Sequence, residues 1–309
     1  MEQAWETKFE GVTVAMNACY DTDGEVDLAA TKRLTRFLVD KGVQGLYVGG
    51  GTGEGLMQSV EERQRVLEAV AEENRGRLTL IAHVGAMNTR DSVALARHAD
   101  TAGADAVSAI PPYYYSYSEQ AVTRHWQAVM DGTSLPFIIY YIPASTGFHM
   151  SAAYLKELCQ QEQLMGMKVT SFSTYELQQF KAAGGERFMV FNGPDQQYLA
   201  GRVMGASGGI GGTYGAMPEL FVEIERCYRD NQMQEAQRWQ VIVNDIITDM
   251  RALGLFGSLK ALMRLRGVDC GEPRLPLPPL DPADRPAVLS VHDKIMRAVA
   301  ACGKSAPVL

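Results

Sequence analysis

The chain has 309 residues, 46% hydrophobic and 21% charged, and a formal net charge of −7. This is the make-up of a packed globular protein, and the acidic balance argues against nucleic-acid binding, which calls for a basic face. The longest apolar runs stop well short of the ~18 residues of a membrane span, so no membrane partner is expected.

Taken in order, the first eleven residues, MEQAWETKFEG, are polar and acidic. They carry neither a basic n-region nor an apolar h-region, so a secretory signal is not expected and the placement reads as cytoplasmic. Eight short apolar, β-branched runs follow: GVTVAM (11–16), VQGLYVGG (43–50), LTLIAHVG (78–85), AVSAIPP (106–112), PFIIYYIP (136–143), LMGMKVT (164–170), RFMVFNG (187–193) and ASGGIGG (206–212). They are continuous rather than alternating, the pattern of parallel strands buried on both faces.

Helical patterns lie between them. The stretch 27–42 ends at Gly42, a suitable helix stop. Ser59 and Glu62 have capping-box spacing ahead of RVLEAVAEEN. Stretches 90–104, 118–132, 151–161 and 174–185 continue the alternation. Eight βα units with short loops predict a (β/α)8 TIM barrel over residues 1–215. An open doubly wound sheet is the alternative, but no G-x-G-x-x-G opens a helix after the first strand. Residues 216–309 read as a helical layer on the barrel, with a last helix near 287–301. The proline-rich stretch 272–286 reads as a packed extended connector, or else as a ligand for an SH3-like module.

The five cysteines, Cys19, Cys159, Cys227, Cys270 and Cys302, are far apart and form no C-x-x-C pair, which suits free thiols in a reducing compartment. The five histidines are scattered and show no metal-ligand spacing, so no metal is expected.

Active sites of such barrels lie at the C-terminal strand ends. There Lys168 is the unusual residue, a lysine among small and apolar neighbours in MGMKVT. It could snorkel to water. If it points into the barrel mouth, desolvation disfavours the ammonium, and a neutral amine can form a Schiff base with a carbonyl. Tyr140 is either a core tyrosine or a phenol that moves a proton. The cluster Tyr113, Tyr114, Tyr115 and Tyr117 suits packing or an interface. The loop GGGTGE (49–54) exposes main-chain N–H groups that could cradle a carboxylate; without a following G-K-[ST] it is not a phosphate loop.

Several motifs in one order carry a resemblance: G-T-G-E (51–54), PYYY (112–115), Y-x-I-P-x-x-T-G (140–147) and G-x-K-x-T (166–170). From about residue 11 to 213 the chain resembles the N-acetylneuraminate lyase and dihydrodipicolinate synthase family of Schiff-base lyases, on the side of the sialic acid lyases. The resemblance implies a homotetramer that needs no cofactor and acts on pyruvate or another 2-oxo acid. It implies that Lys168 forms the Schiff base, that Tyr140 moves the proton, and that Tyr114 reaches Tyr140 of a neighbouring subunit. Main-chain groups at Gly51 and Thr52 would hold the carboxylate. Thr170, Gly193, Asp195, Gln196, Ile210 and Gly212 would line the rest of the substrate site.

Five positions depart from the family pattern. Ser145 stands where the synthases carry an arginine for a second carboxylate. Gly51 replaces a relay hydroxyl, Tyr141 an asparagine, Gln196 a glutamate and Gly212 a serine. The reading is therefore a class I aldolase-type lyase that releases pyruvate from a sugar-derived 2-oxo acid, N-acetylneuraminate foremost. A 2-keto-3-deoxy sugar acid aldolase or dehydratase, a synthase-like enzyme and a non-catalytic 2-oxo acid sensor are the alternatives.

Overall fold

The computed structural model describes residues 5–303. All eight expected strands form: β1 (Gly11–Ala15), β2 (Gly45–Val48), β3 (Thr79–His83), β4 (Ala106–Ala109), β5 (Phe137–Tyr141), β6 (Leu164–Val169), β7 (Met189–Asn192) and β8 (Gly208–Gly211). Neighbours pair in sequence order and β8 returns to β1, so the sheet is a closed parallel barrel. The expected TIM barrel is the observed fold. Among the described residues no helix is long and apolar enough to cross a membrane.

The continuous apolar runs have their reason in this closure. Strand residues pointing out, such as Val14, Leu46, Ile139 and Val169, pack beneath the helices. Those pointing in, such as Tyr47, Ile81, Ile138, Met189 and Ile210, fill the lumen. Both faces are therefore dry. Phe9, on the short helix Trp5–Phe9 just ahead of β1, joins the lumen cluster. The polar N-terminal segment thus supplies a plug that its composition did not announce.

One irregularity orients the chemistry. Phe137 pairs with Leu164, but Ile138 pairs with Gly166, so Met165 is an extra residue in β6. Beyond this bulge Lys168 stands opposite Tyr140, whose side chain points into the lumen. In an unbroken register Lys168 would stand opposite Tyr141, which packs under the helices. A one-residue slip exchanges the two faces of a strand, so the bulge turns Lys168 inward.

The helices start where their caps allow. Asp27, Ser59, Asn88, Ser118, Ser151 and Ser173 each accept a hydrogen bond from a first-turn N–H. Both bonds of the Ser59–Glu62 capping box are present. Gly42 adopts its left-handed φ of 71°, two residues past the cap residue Asp40.

After β8, the helix Pro218–Arg229 lies against β1, and the long helix Met233–Ala252 packs on it. Helix Leu255–Leu265 follows. The last helix spans Arg285–Val299, beginning two residues before the expected start, with Pro286 in its first turn where a missing N–H costs nothing. Between these, the proline-rich segment is largely exposed but anchored at Arg274. Arg274 donates to the Glu62 carboxylate at 2.5 Å and to the carbonyls of Gly24 and Met57 at 2.7 and 2.9 Å.

Candidate active site

A cavity of about 400 Å³ opens at the C-terminal ends of the strands, and Lys168 and Tyr140 line it. Lys168 is only 4% exposed. Its Nζ lies 4.1 Å from the centre of the Tyr140 ring and 4.6 Å from that of Tyr47, and no carboxylate among the described residues pairs with it. A buried amine walled by aromatic faces has nothing to tie it down, which is the setting of a nucleophilic lysine.

The walls behind these groups were not foreseen. Tyr47 donates its hydroxyl to Ser108 Oγ at 3.0 Å and stands edge-on to Tyr140, ring centres 6.1 Å apart. His83 is also edge-on to Tyr140, at 5.9 Å. Its Nδ1–H donates to the Gly49 carbonyl at 3.0 Å, and the buried Arg63 donates to the His83 carbonyl at 2.6 Å. These bonds connect the glycine loop to the wall behind Tyr140. Only the apolar run around His83 hinted at its burial.

Burial pushes the His83 imidazole well below its usual range, and burial lowers His125 from 6.5 to about 4. Both are neutral in the folded protein and protonate more easily once unfolded. Unfolded chains therefore bind more protons as pH falls below about 6.5, and the folded state loses stability towards pH 4. Chemical unfolding midpoints across that interval should fall, and His125→Gln should flatten the fall. A flat wild-type profile would show that the histidines are not held neutral.

The loop after β2 turns sharply. Glu54 is left-handed at φ 49°, and a Cβ on Gly55 would overlap the Gly49 carbonyl, so this close approach requires glycine. The N–H groups of Gly51 and Thr52 donate to no other group of the described residues. Consecutive free N–H groups suit an anion. Thr52 lines the cavity, whereas Gly51 is not among the lining residues: it is exposed, and nothing lies within 4 Å of a Cβ added there.

The remaining expected residues fall into two groups. Thr170, Gly193, Gln196, Ile210 and Gly212 line the same cavity. The buried Thr170 Oγ1 has no hydrogen-bond partner among the described residues. A Cβ on Gly212 would overlap Thr52 Oγ1, so the threonine fills the place of a side chain there. Asp195 lines the cavity too, but its Oδ2 already accepts from the N–H and Oγ1 of Thr213, at 2.8 and 2.5 Å. Burial raises its carboxyl above the usual value. Tyr114 lies outside the cavity: it is 83% exposed, left-handed at φ 77°, and stacked edge-on to Tyr115 at 5.0 Å.

Three cavity residues come from the C-terminal helices: Ile247, Arg251 and Leu255. Ile247 and Arg251 lie one turn apart on helix Met233–Ala252, whereas Leu255 begins the next helix, so only the first two had a helical spacing to read, and it carries no chemical signature.

Residues 8–295 match the model of the dihydrodipicolinate synthetase family. The chain is 41% identical over 277 residues to an N-acetylneuraminate lyase of Mediterraneibacter gnavus, with 88% of each chain covered. It is 39% identical over 282 residues to an N-acetylneuraminate lyase of Rhizobium meliloti, covering 91% of this chain and 93% of the other. Among solved structures, the catalytic lysine mutant of Ruminococcus gnavus sialic acid aldolase superposes with a TM-score of 0.95 at 39% identity, over 97% of this chain and 100% of that one. The chain therefore belongs to the dihydrodipicolinate synthetase family and is a Schiff-base-forming carbon–carbon lyase of the class I aldolase type.

Proposed function

We propose that this enzyme cleaves N-acetylneuraminate reversibly to pyruvate and the amino-sugar aldehyde. The observation that carries this reading is the buried, unpaired Lys168 amine facing Tyr140 in a cavity beside the free N–H groups of Gly51 and Thr52. The cavity volume of about 400 Å³ suits a sugar acid, and the names of the similar proteins support the substrate.

The Gly51 and Thr52 amides hold the C1 carboxylate. Lys168 Nζ attacks C2 as a neutral amine, water leaves, and an iminium forms. The C4 hydroxyl gives its proton to the Tyr140 oxygen, which passes its own proton on through water. The C3–C4 bond then breaks, its electron pair moves toward the iminium nitrogen, and the aldehyde departs from the resulting enamine. Protonation of C3 and hydrolysis release pyruvate and restore the amine. With Gly51 where the family carries a hydroxyl, solvent takes over the outer part of the proton path. Thr170, Gly193, Asp195, Gln196, Ile210 and Gly212 hold the tail.

The enzyme works in the cytoplasm as a homotetramer, and the exposed Tyr114 and Tyr115 meet a second subunit, which is the usual fate of such an aromatic patch. The barrel (1–215) and the helical layer (216–309) act as one unit, since Ile247, Arg251 and Leu255 of the layer reach the cavity.

The test is pyruvate release from N-acetylneuraminate. Release from 2-keto-3-deoxy sugar acids alone would overturn the substrate, and release from no 2-oxo acid would overturn the reading. Tyr140→Phe should lower kcat by roughly 10²–10⁴-fold with little change in KM, because the phenol acts on the departing proton. Equal losses in both would remove it from the proton path.

A further inference from the structure

The cavity rim carries an aromatic ring that neither the cleavage chemistry nor the fold uses. Phe172 lines the cavity and is 70% exposed. It precedes Ser173, the cap of helix Thr174–Gly184. An apolar residue in that place often packs on the fourth helical residue as a hydrophobic staple. Here the fourth residue is Leu177, which is fully buried, yet Phe172 stands open on the cavity side. Its ring meets no other ring among the described residues. The loop that carries it is held on both sides: the Thr170 N–H donates to the Tyr141 carbonyl at 2.8 Å, and the Gln197 amide donates to the Ser171 carbonyl at 2.9 Å.

The surroundings of Phe172 are apolar. β5 and β6 are neighbours, and beyond Tyr140 and Lys168 their loops bring Ile142, Pro143, Ala144 and Phe172 to the lining. None of these four side chains can make a hydrogen bond. The side chains free to bind hydroxyls lie elsewhere on the lining, on Thr170 and on Gln196 after β7. A single exposed ring is common on a protein surface. One that shares a cavity wall with three apolar neighbours is placed where a ligand covers it, and covering it removes apolar surface from water.

The substrate named above has a matching group. Tyr140 meets its C4 hydroxyl, and the next carbon, C5, bears the acetamido group. That group therefore leaves the carbon chain beside Tyr140, two residues before Ile142. We infer that Phe172 is the specificity residue for the N-acyl group: its ring, with Ile142, Pro143 and Ala144, takes the acetyl methyl while the hydroxyls of the tail turn to Thr170 and Gln196. This inference rests on the N-acetylneuraminate reading and deepens it, because it makes the acyl group, and not the polyol alone, what the site selects.

The test compares N-acetylneuraminate with the analogue that has a hydroxyl in place of the acetamido group. Pyruvate release is measured with wild type, Phe172→Ala, Phe172→Leu and Tyr175→Ala. Tyr175 is the control: it is 69% exposed and close in sequence, but it does not line the cavity. Wild type should favour the N-acetyl compound by about 10- to 100-fold in kcat/KM, as for a small apolar group in a pocket. That ratio should fall by roughly ten-fold in Phe172→Ala, mainly through a higher KM for N-acetylneuraminate, since the ring touches a group that does not react. It should recover in part in Phe172→Leu and hold in Tyr175→Ala. Equal or reversed preference in wild type overturns the inference, as does a ratio that falls as far in Tyr175→Ala. An equal loss on both compounds in Phe172→Ala also overturns it, and a changed sedimentation coefficient in that variant would assign the ring to a subunit contact instead. No pyruvate from N-acetylneuraminate with the wild-type enzyme would be the failure of the substrate reading itself, and the acyl subsite would fall with it.

Discussion

Lys168→Ala is expected to remove pyruvate release entirely, by at least about a thousand-fold, and to abolish borohydride trapping of the enzyme with pyruvate. The same variant should keep its fold. Lys168 Nζ makes no ion pair among the described residues, and the buried Asp195, whose carboxylate its charge favours, keeps both bonds from Thr213 when the lysine is removed. What is lost is contact with the rings of Tyr140 and Tyr47, at 4.1 and 4.6 Å, on a wall already open to the cavity. A thermal midpoint close to wild type alongside complete inactivity is the diagnostic pair of results. Residual cleavage near the wild-type rate would remove Lys168 from the mechanism. An unfolded variant would instead show that the lysine is structural, and Lys168→Met, which retains most of the side-chain volume, would then separate packing from chemistry.

The second large effect concerns a pair far less visible than the lysine. Glu54, the last residue of the glycine loop, and Lys260, in helix Leu255–Leu265, have side chains only 0% and 1% exposed. Lys260 Nζ is 2.9 Å from Glu54 Oε1, an ion-pair contact without the alignment of a hydrogen bond. The other ends of both groups are occupied. Glu54 Oε2 accepts the Arg274 N–H at 2.8 Å, Lys260 donates to the Glu272 carbonyl at 2.8 Å, and its ammonium sits 4.5 Å over the Tyr20 ring. The loop beside the cavity is in this way clamped to the proline-rich segment. Breaking such a pair from one side leaves a bare buried charge and costs about 3–5 kcal/mol. Lys260→Met should therefore lower the urea unfolding free energy by about that amount and raise KM for pyruvate-yielding substrates, since the amides of Gly51 and Thr52 lose their support. Glu54→Gln with Lys260→Met should be the more stable of the two constructions, because the amide oxygen still accepts from Arg274 and no charge remains. A loss under about 1 kcal/mol in the single variant would mean that water reaches the pair and that it does little for the loop.

The fold could be read from the chain because its signals are local. Continuous apolar runs such as PFIIYYIP report burial on both faces, and capping residues such as Ser59 with Glu62 report helix starts, without reference to anything distant. The lysine, the tyrosine of β5 and the glycine loop were legible for a related reason: a lone cation in an apolar run and three glycines in succession are anomalies against their own neighbours. Arg251, Lys260 and His83 are not anomalous where they stand. An arginine near a helix end and a lysine on a helix are ordinary until another part of the chain is folded against them.

The sequence by itself determined the class of architecture, the strand and helix order, and which side chains could do chemistry. Only the tertiary structure decided their directions. Whether Lys168 faces the lumen depends on one extra residue, Met165, in the pairing of β6 with β5. Whether Glu54 is buried depends on a helix some two hundred residues later. Strand period, apolar pattern and caps are properties of neighbouring residues, whereas register and the partner of a charge are settled only when distant segments come into contact.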